Sequence, residues 1–468
     1  MIPPLPVGFR VELDPGTKQL TDALWFGGSP ARVLRLTAAG QKAWRTLENG
    51  PVDSPATGAL ARRFTDAGLA HPVPPEPAAP PDVTIVVPVH ERAAALGRCL
   101  EALGGRHPVL VVDDASADAA GIAAVAAAHG AKLVRRTVNG GPAAARNTAL
   151  EHVGAELVAF LDSDCVPSPE WTDRLAAHFA DPLLAAIAPR ILPLAPDTWA
   201  GRYTRANGSL DLGGAQGRVV PGTRVSYVPT AALVVRRSAL ETRAFDESMR
   251  VGEDVDLVWR LHQAGLRVRY DPSAHLGHEE PATWRGLLSR RFRYGTSAAP
   301  LAQRHPDAAA PLVLHPWPAL TVAGLLARRP LVAAAGFAGA VLTMRETLRQ
   351  GDIPTDGVTR AMATAVHQTW LGTGRYSTQF AAPALAAVLA VGGRHRLAAA
   401  SLLLGPPLAG WLSRRPDLDP VRYSAAAIAD DLAYGTGVWA GCLTHRTAAP
   451  LRPRVAWRPL RVDRKERR

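Results

Sequence analysis

The sequence predicts an α/β protein in which a nucleotide-binding domain with a mostly parallel sheet lies between a small N-terminal module and an apolar helical C-terminal region. Three observations lead to this prediction. Short apolar segments alternate with Ala-rich helical segments between Val83 and Leu161, a Pro/Ala-rich stretch precedes them, and nearly uncharged apolar blocks follow residue 306. The predicted division is therefore a module at 1–72, a linker at 73–81, the nucleotide-binding domain at 82–305 and the helical region at 306–468.

The N-terminal module combines short strands with short helices. Residues 9–13 and 32–37 are strand-like, whereas residues 38–47 and 57–67 are helical in pattern. A unit of this size and mixture suits a winged-helix-like module. The Pro/Ala-rich residues that follow it suit a tether between domains.

The composition indicates an anionic partner in a reducing compartment. The 468 residues carry a formal net charge of +12, which suits nucleic acid, a phosphorylated substrate or an anionic membrane surface. The arginines are scattered and no zinc-finger spacing is visible, so we predict no nucleic-acid partner. The three cysteines lie far apart, which argues against a disulfide framework. The first residues lack the basic and apolar regions of a secretory signal, and we expect a cytoplasmic location.

The central pattern is that of a parallel sheet with helical crossovers. The expected strands and the helices between them are, in order, strands at 83–89, 109–112, 132–134 and 157–161, and helices at 92–103, 117–129 and 142–153. Parallel strands joined by helices place their carboxyl ends along one edge, where ligands bind in open α/β sheets. Polar residues at these strand ends are therefore the candidate site.

Two carboxylates, Asp162 and Asp164, follow the apolar run Leu157–Leu161 directly. Two hard oxygen donors at this spacing can hold one Mg²⁺ or Mn²⁺, and such an ion can neutralise a diphosphate. The alternative is a solvated turn that caps the following helix. Asp162 is thus a candidate both for the metal and for the nucleotide-sugar.

A second group of candidates would contact the nucleotide. Asp113 and Asp114 end the second strand and can accept a uracil N–H or bind ribose hydroxyls, or they can simply cap the next helix. The Asn139-Gly140-Gly141 turn permits close backbone approach, and Arg146 and Asn147 on the helix after it can reach a base or phosphate.

The third group lies about 90 residues after the Asp162–Asp164 pair. Glu253 and Asp254 stand at the start of an amphipathic helix, where carboxylates are favoured on structural grounds alone, yet Asp254 also suits a general base. A following loop carries His275 and His278, which are solvated or supply a metal ligand. Residues 289–295 then offer Arg290 and Arg293 for phosphate contact, or a solvated helix face.

The C-terminal region contains four apolar blocks, at 311–327, 330–344, 380–393 and 397–412. Each is shorter than the roughly 20 residues of a spanning helix. The blocks therefore form either a buried helical hairpin domain or membrane-associated helices. The arginine clusters between them, together with Trp317 and Trp411, favour association with a membrane surface.

Taken together, these motifs resemble the inverting glycosyltransferases of family 2, which have the GT-A fold. The resemblance rests on the order of Thr84-Ile-Val-Val-Pro-Val, Val112-Asp-Asp-Ala-Ser, Asn139-Gly-Gly, Ala145-Arg-Asn, Phe160-Leu-Asp-Ser-Asp and Gly252-Glu-Asp-Val-Asp. It implies nucleotide contacts for Asp114 and Arg146, a metal motif at Asp162 and Asp164, and a catalytic base at Asp254. It further implies that His278, in preference to His275, completes the metal site.

Two departures from the family pattern bear on this interpretation. The family usually has Tyr-Asn where this chain has His90-Glu91, so the early nucleotide contacts expected of Pro88 and Glu91 fall on an altered loop. The Gln-x-x-Arg-Trp motif of processive members is absent, which favours transfer of one or a few sugars.

Over its whole length the chain resembles the mycofactocin-system glycosyltransferases, a narrower group, and its N-terminal module resembles PqqD-type peptide-recognition modules. This resemblance implies transfer of a hexose, with glucose favoured, from a UDP-sugar to a hydroxyl of a small peptide-derived redox cofactor precursor. The alternatives are a lipid or cell-envelope polysaccharide acceptor, nucleotidyl transfer, or a non-catalytic membrane scaffold.

Overall fold

The computed structural model describes residues 2–77, 79–241, 244–308, 310–457 and 461–462. The N-terminal module contains five strands and two α-helices: β1 (Arg10–Leu13), β2 (Lys18–Thr21), β3 (Leu24–Gly27), β4 (Arg32–Arg35), α1 (Ala38–Asn49), α2 (Pro55–Ala67) and β5 (Ala70–Val73). Its strands divide between two sheets, because β1 pairs with β5 while β2, β3 and β4 form an antiparallel meander. The structure does not establish the winged-helix-like prediction, and β2 and β3 are additions to the predicted elements.

An aromatic cluster forms the core of this module. Trp44 and Phe64 stack with ring centroids 4.4 Å apart, and Trp25 packs against both rings. The helix α2 starts at a capping box formed by Ser54 and Thr57 and ends at Gly68, whose positive φ of 73° suits glycine. These local signals explain why the helix predicted at 57–67 forms with closely similar bounds.

The central domain is built on one nine-stranded sheet. Its elements in chain order are β6 (Val83–Val89), α3 (Ala93–Leu103), β7 (Val109–Asp113), α4 (Ala119–Ala128), β8 (Lys132–Arg135), α5 (Pro142–Leu150), β9 (Leu157–Leu161), β10 (Cys165–Pro167), α6 (Trp171–Ala176), β11 (Leu184–Leu194), α7 (Trp199–Asn207), β12 (Gly217–Arg218), β13 (Ala232–Arg236), α8 (Glu253–Gln263), β14 (Arg267–Glu279), α9 (Trp284–Thr296) and α10 (Ala298–Arg304). The strand order is β10-β14-β11-β13-β9-β6-β7-β8, with β12 paired to β14.

The four strands predicted from the sequence form the parallel half of the sheet. The pairs β9–β6, β6–β7 and β7–β8 are parallel. Side chains of β9 alternate between two separate hydrophobic clusters, one containing Phe160 and the other Leu161. The strand is therefore covered on both faces, as its uninterrupted apolar sequence predicts. The other half is mixed, since β13 runs antiparallel to both of its neighbours.

The C-terminal region is helical, with three short strands: β15 (Val313–Leu314), α11 (Pro316–Leu326), α12 (Pro330–Gln350), α13 (Val358–Phe380), α14 (Ala382–Val391), α15 (Arg396–Arg414), α16 (Pro420–Thr444), β16 (Arg454–Val455) and β17 (Arg461–Val462). It is joined to the N-terminal module, because β17 pairs with β4. A shared hydrophobic cluster also contains Leu24 and Val33 from the module and Met362 from α13.

One helix in the described part of the chain, α12, is long and apolar enough to cross a membrane, and 22% of its apolar window is buried inside the protein. The expectation that every apolar block is shorter than a spanning helix was therefore wrong for the block at 330–344. The helix continues through polar residues to Gln350, because backbone hydrogen bonding does not stop where the composition changes.

The C-terminal region is attached to the central domain by close packing of α16 against α9. A side chain at Gly437 would collide with the carbonyl of Phe292, and one at Gly441 would lie 2.6 Å from the carbonyl of Thr296. Glycine at these positions lets the two helix backbones touch. This packing is the reason that residues from the end of the chain reach the sheet edge.

We expect Gly437→Ala to destabilise the protein by about 1–3 kcal/mol, because the added methyl group overpacks the α9–α16 crossing. Its thermal unfolding midpoint should fall. Gly97→Ala on α3 is the matched control, since the new Cβ would meet Val125 at an ordinary 3.8 Å and alanine favours the helix. An unchanged midpoint for Gly437→Ala would contradict this account of the crossing.

Candidate active site

A cleft of about 1670 Å³ lies between the carboxyl edge of the sheet and the C-terminal helices. Asp162, Asp254 and His278 line it on the side of the central domain, and Arg375 and Tyr434 line it on the opposite side. The helices α13 and α16 therefore form one wall of the cleft. The sequence did not predict this, because neither helix lies in one of the apolar blocks.

Asp162 and Asp164 reach the cleft through a strand and a short turn. β9 delivers Asp162, whose carbonyl accepts a hydrogen bond from the Cys165 amide at 3.0 Å as the chain turns into β10. β10 then pairs with the end of β14 so that Cys165 stands opposite His278. This register brings Nε2 of His278 to 3.5 Å from Oδ1 of Asp164.

The donor set around this turn has the chemistry that Mg²⁺ or Mn²⁺ requires. Asp162 uses Oδ1 for an ion pair with Arg146, and Asp164 uses Oδ2 for one with Arg92 at 2.8 Å. Nδ1 of His278 lies 3.4 Å from Glu280 without a hydrogen bond, and Nε2 faces Asp164. Two carboxylates and one imidazole are donor types that a divalent ion takes.

These residues are near one another but are not gathered into a closed site. Within the described ranges, no group of three or more His, Cys, Asp or Glu side chains is close enough to hold a metal ion by itself. Of the two histidines considered, His278 is the one beside Asp164, whereas His275 is exposed. Burial alone would lower the pKa of His278, but the neighbouring Glu280 and Asp164 carboxylates raise it.

Arg146 links the two acidic motifs. Its guanidinium donates to Oδ1 of Asp162 at 2.7 Å and to Oε1 of Glu253 at 2.9 Å, and the side chain lies over the ring of Phe245. The residue is only 2% exposed. Burial would lower the pKa of Arg146, but the surrounding carboxylates raise it, so the guanidinium stays charged and joins the edge of β9 to the start of α8.

Glu253 and Asp254 have different environments although they are adjacent. Glu253 is buried against Arg146 and also lines the cleft, so it holds the guanidinium in place while its catalytic role stays a prediction. Asp254 lines the cleft, and its Oδ1 accepts a hydrogen bond from the Val255 amide at 2.8 Å. Burial and the charge of Glu253 raise the pKa of Asp254 to about 7, against the opposing effects of the Val255 amide and Arg146. A carboxylate with this pKa can exchange a proton near neutral pH.

The loop expected to hold the nucleotide uses its polar groups internally. Asp113 accepts from the Ser116 amide at 2.9 Å and pairs with Arg135, and Asp114 accepts from the amides of Gly140 and Gly141 at 3.0 and 2.7 Å. Both aspartates are almost fully buried. They therefore fasten the loop together, and their role as nucleotide ligands stays a prediction.

Other residues predicted for this loop also have protein partners. Glu91 accepts a hydrogen bond from the Ala117 amide at 2.6 Å, and Asn139 accepts one from Arg250 at 3.1 Å. Pro88 is half-buried on β6, and Gly140 packs beside Arg136 and Ala144. None of these four residues lines the described cleft. The neighbouring Pro142 and Arg250 do line it, which places the mouth of the cleft beside this turn.

Three further residues predicted to contact the nucleotide do not line the described cleft. The Asn147 amide bonds both backbone groups of Phe245 and so holds that segment instead of facing the cleft. Arg290 pairs with Glu280, and Arg293 is exposed on the outer face of α9. The residues of α9 that line the cleft are Arg291 and Tyr294, one position away from those predicted in each case.

The C-terminal wall supplies residues that the sequence analysis missed. Nε of Arg291 donates to Asp430 at 2.6 Å, and Asp430 also accepts from the hydroxyl of Tyr203 at 3.3 Å. Beside them, Asp431 accepts from Arg375 at 3.0 Å and Gln379 at 2.7 Å. The signal that points to this wall is the pair Asp430-Asp431 inside an otherwise apolar helix, since carboxylates are rarely buried without a partner.

Tyr227 closes the cleft near the candidate base. It lines the same cleft as Asp254, and burial followed by the charge of Asp254 raises the pKa of Tyr227 to about 12. The phenol therefore stays neutral at physiological pH and can donate a hydrogen bond.

Comparison with known proteins identifies the class of protein to which these features belong. The model of the family described as glycosyl transferase family 2 matches residues 84–243. The pre-mycofactocin glycosyltransferase of Mycobacterium tuberculosis is 38% identical over 474 residues, an alignment that covers 96% of this chain and 98% of that protein. Glycosyltransferase AglE of Haloferax volcanii is 26% identical over 231 residues, covering 46% of this chain and 72% of its own.

Among solved structures, the mannosyltransferase PcManGT from Pyrobaculum calidifontis in complex with GDP-Man and Mn²⁺ is 22% identical, with a TM-score of 0.44. The likeness covers 76% of this chain and 88% of that one.

Proposed function

This chain belongs to glycosyl transferase family 2, and we propose that it transfers a hexose from a UDP-sugar to a hydroxyl of a small peptide-derived acceptor, the precursor of mycofactocin. The identity of 38% over nearly the whole length of both chains supports a common acceptor with the pre-mycofactocin glycosyltransferase. The sugar we favour is glucose. The reaction inverts the configuration at the anomeric carbon.

The observation that carries the proposal is the continuous connection from Asp162 through Arg146 to Glu253, which fixes Asp254 in the same cleft. Transfer needs one region that holds a leaving diphosphate and another that activates the acceptor hydroxyl. Arg146 sets the separation between these regions, because it is buried and bonded to both.

Asp254 acts as the general base in this mechanism. Its carboxylate takes the proton of the acceptor hydroxyl while that oxygen forms a bond to the anomeric carbon of the hexose. The bond from that carbon to the diphosphate oxygen breaks, and the electron pair leaves on UDP. Attack from the side opposite the leaving group produces the inversion. The raised pKa of Asp254 makes its carboxylate a stronger base than an ordinary aspartate.

Asp162, Asp164 and His278 are the residues that would hold a Mg²⁺ or Mn²⁺ ion. The ion, when bound, supplies positive charge that stabilises the departing diphosphate. Arg146 donates a hydrogen bond to Oδ1 of Asp162, and Oδ2 is the oxygen that this contact leaves for an ion. The carboxylate of Glu280 lies 3.4 Å from Nδ1 of His278 on the other side of the imidazole.

The acceptor would lie between Asp254 and the C-terminal wall. This side of the cleft combines aromatic faces, including Tyr227, Tyr294 and Tyr434, with the Arg291–Asp430 pair. Aromatic faces suit a flat, partly apolar acceptor, and the buried charges suit its polar groups. A lipid or polysaccharide acceptor would have to fit a larger group into the same side of the cleft.

The direct test is to incubate the purified protein with UDP-glucose and the aglycone precursor of mycofactocin and to follow the products by mass spectrometry. We expect a gain of one or a few hexose masses and release of UDP. UDP-galactose, GDP-mannose and a polyprenyl phosphate serve as competing donor and acceptor controls. Transfer to polyprenyl phosphate alone would show that the acceptor is a lipid and not the peptide-derived precursor. The protein would still be a glycosyltransferase.

We expect Asp164→Asn to abolish the stabilisation that Mn²⁺ and UDP together give the protein. The carboxamide is a poor ligand for a hard divalent ion, so the joint shift in the thermal midpoint should disappear and transfer should fall by at least about 100-fold. The matched control is Asp173→Asn, an acid that pairs with Arg106 on the surface. A full Mn²⁺-dependent shift in Asp164→Asn would exclude that carboxylate as a ligand.

We also propose that the protein associates with the cytoplasmic surface of a membrane. Exposed apolar side chains on α12, α14 and α15 support this, among them Leu331, Val391, Leu397 and Leu412, with Arg328, Arg329, Arg394 and Arg396 close to them in sequence. Flotation with anionic vesicles should carry the protein upward, and Leu331→Ser/Leu397→Ser should reduce the floated fraction severalfold. Equal recovery of both proteins would argue against these helices as the contact.

A further inference from the structure

A second cavity, of about 890 Å³, lies between the N-terminal module and the central domain. The 26–32 turn and α2 line it on one side, and residues 217–225 and Arg267 line it on the other. It is separate from the active-site cleft, although Thr223 lines both. Its volume is within the range of sites that enclose small ligands.

Arginine dominates the walls of this cavity. The six arginines and two carboxylates that line it are Arg32, Arg62, Arg63, Arg218, Arg224 and Arg267, and Asp14 and Asp66.

The carboxylates of this cavity are already shared between cations. Asp66 binds Arg267 through both oxygens, at 2.8 and 2.7 Å, and lies 3.3 Å from Arg218. Asp14 lies 3.0 Å from His71 and 3.3 Å from Arg224. Arg62 is neutralised by Asp181, to which it donates two hydrogen bonds at 2.7 and 2.6 Å. Within the described residues, Asp66 alone is left to balance both Arg218 and Arg267, so these two arginines carry more positive charge than their one carboxylate offsets.

Arg218 shows the consequence of this imbalance. Its Nε is buried and has no hydrogen-bond partner within the described residues. Burial lowers the pKa of Arg218 to about 10, and Arg267, Arg32 and Arg62 contribute in the same direction, against the partial compensation from Asp66. Burial likewise lowers the pKa of Arg269, which lies behind His71, to about 10. A buried guanidinium without enough negative charge around it gains stability when an anion enters.

We propose that this cavity is a binding site for an anion that carries two or more carboxylate or phosphate groups. The guanidinium fork matches both groups through paired hydrogen bonds, and several arginines at one cavity favour a ligand with several charges. The site is independent of the transfer chemistry, since none of its arginines lines the catalytic cleft. Arg224 lies three residues before Tyr227, which lines that cleft, so one segment of the chain borders both cavities.

The test measures binding to the full-length protein by calorimetry at low salt and in EDTA, which keeps diphosphate from binding through a metal ion. The two probes are inorganic pyrophosphate and tetraglutamate. We expect saturable binding of at least one probe, weakened about tenfold by Arg218→Gln and by Arg224→Gln because each loses a charge-assisted hydrogen bond. Tighter pyrophosphate binding identifies a phosphate ligand, and tighter tetraglutamate binding identifies a carboxylate ligand.

Arg285→Gln is the matched control, because Arg285 is exposed on α9 and lines neither cavity. Hydrogen exchange locates the bound probe and should show slower exchange at residues 217–225. Arg224 is the more exposed of the two substituted residues, so its variant keeps the test valid if Arg218→Gln does not fold. The proposal is overturned if neither probe binds saturably, if Arg224→Gln binds as tightly as Arg285→Gln, or if slower exchange is confined to the catalytic cleft.

Discussion

Asp254→Asn is expected to lower kcat for hexose transfer by about 10²–10⁴, the usual contribution of a general base. The substitution keeps the size of the side chain and leaves Glu253 and Arg146 in place, but a carboxamide cannot take the proton of the acceptor hydroxyl. The affinity for UDP-glucose, measured by calorimetry, should change little. A variant with normal turnover would remove Asp254 from the role of base.

The pH profile supplies an independent check on Asp254. The pKa of this carboxyl is raised to about 7 in the folded protein, so kcat/KM should rise with pH up to about 7 and then level off. Asp254→Asn should lose this inflection. Asp197→Asn, which changes an exposed acid paired with Arg202, should keep the parent profile and serves as the matched control.

Asp254→Asn should also stabilise the protein at neutral and alkaline pH. A carboxyl with a pKa near 4 in the unfolded chain and about 7 in the folded one takes up a proton on folding. Its contribution to the free energy of unfolding is therefore lost progressively as pH rises from about 4 to 7. At pH 8 Asp254→Asn should unfold at a higher temperature than the parent, so its loss of activity cannot arise from unfolding.

Arg146→Met should lower the free energy of unfolding by about 3–5 kcal/mol, because it removes one partner from a buried ion-pair network. The substitution leaves the Glu253 carboxylate buried without its counter-charge, and Asp162 loses the same guanidinium. Chemical denaturation measures the loss. Transfer activity should fall as well, since nothing then fixes the distance between Asp162 and Asp254.

A double substitution separates the charge effect from lost packing. Arg146→Met/Glu253→Gln removes the unpaired charge, so it should be more stable than the sum of the two single losses predicts. Arg174→Met is the control, because Arg174 pairs with Glu170 on the surface, where such pairs contribute about 0–1 kcal/mol. Simple additivity in the double variant would show that Arg146 stabilises the protein by packing alone.

The sequence predicted the parallel half of the sheet closely, because its signals are local. β6 and β9 have the predicted bounds, since an apolar run of strand length between helical segments has few other solutions. The position of Asp162 at the end of β9 follows from this assignment. Asp254 was likewise accessible, because acids at the start of an amphipathic helix are visible in a single stretch of sequence.

The sequence left the contacts between distant segments undecided. Asp113 and Asp114 are at the expected strand end, but their partners come from Arg135 and the Gly140–Gly141 turn, which the sequence does not place beside them. The helix α9 was expected, but the sequence did not show which of its side chains face the cleft. Arg290 was predicted to contact the nucleotide, whereas Arg291 lines the cleft. A rotation of one residue on a helix changes the direction of a side chain by about 100°.

The sequence by itself determined the four strands of the parallel half, the acidic motif after β9 and the identity of the candidate base, because each depends on the pattern of one continuous segment. Only the tertiary structure decided which charged groups remain for a ligand. Arg146 pairs with Glu253, 107 positions further along the chain, and α16 brings Asp430 to the cleft through glycines that let two backbones touch. Burial and charge pairing arise from the whole fold, and they set the pKa of Asp254 and the excess of arginine in the second cavity.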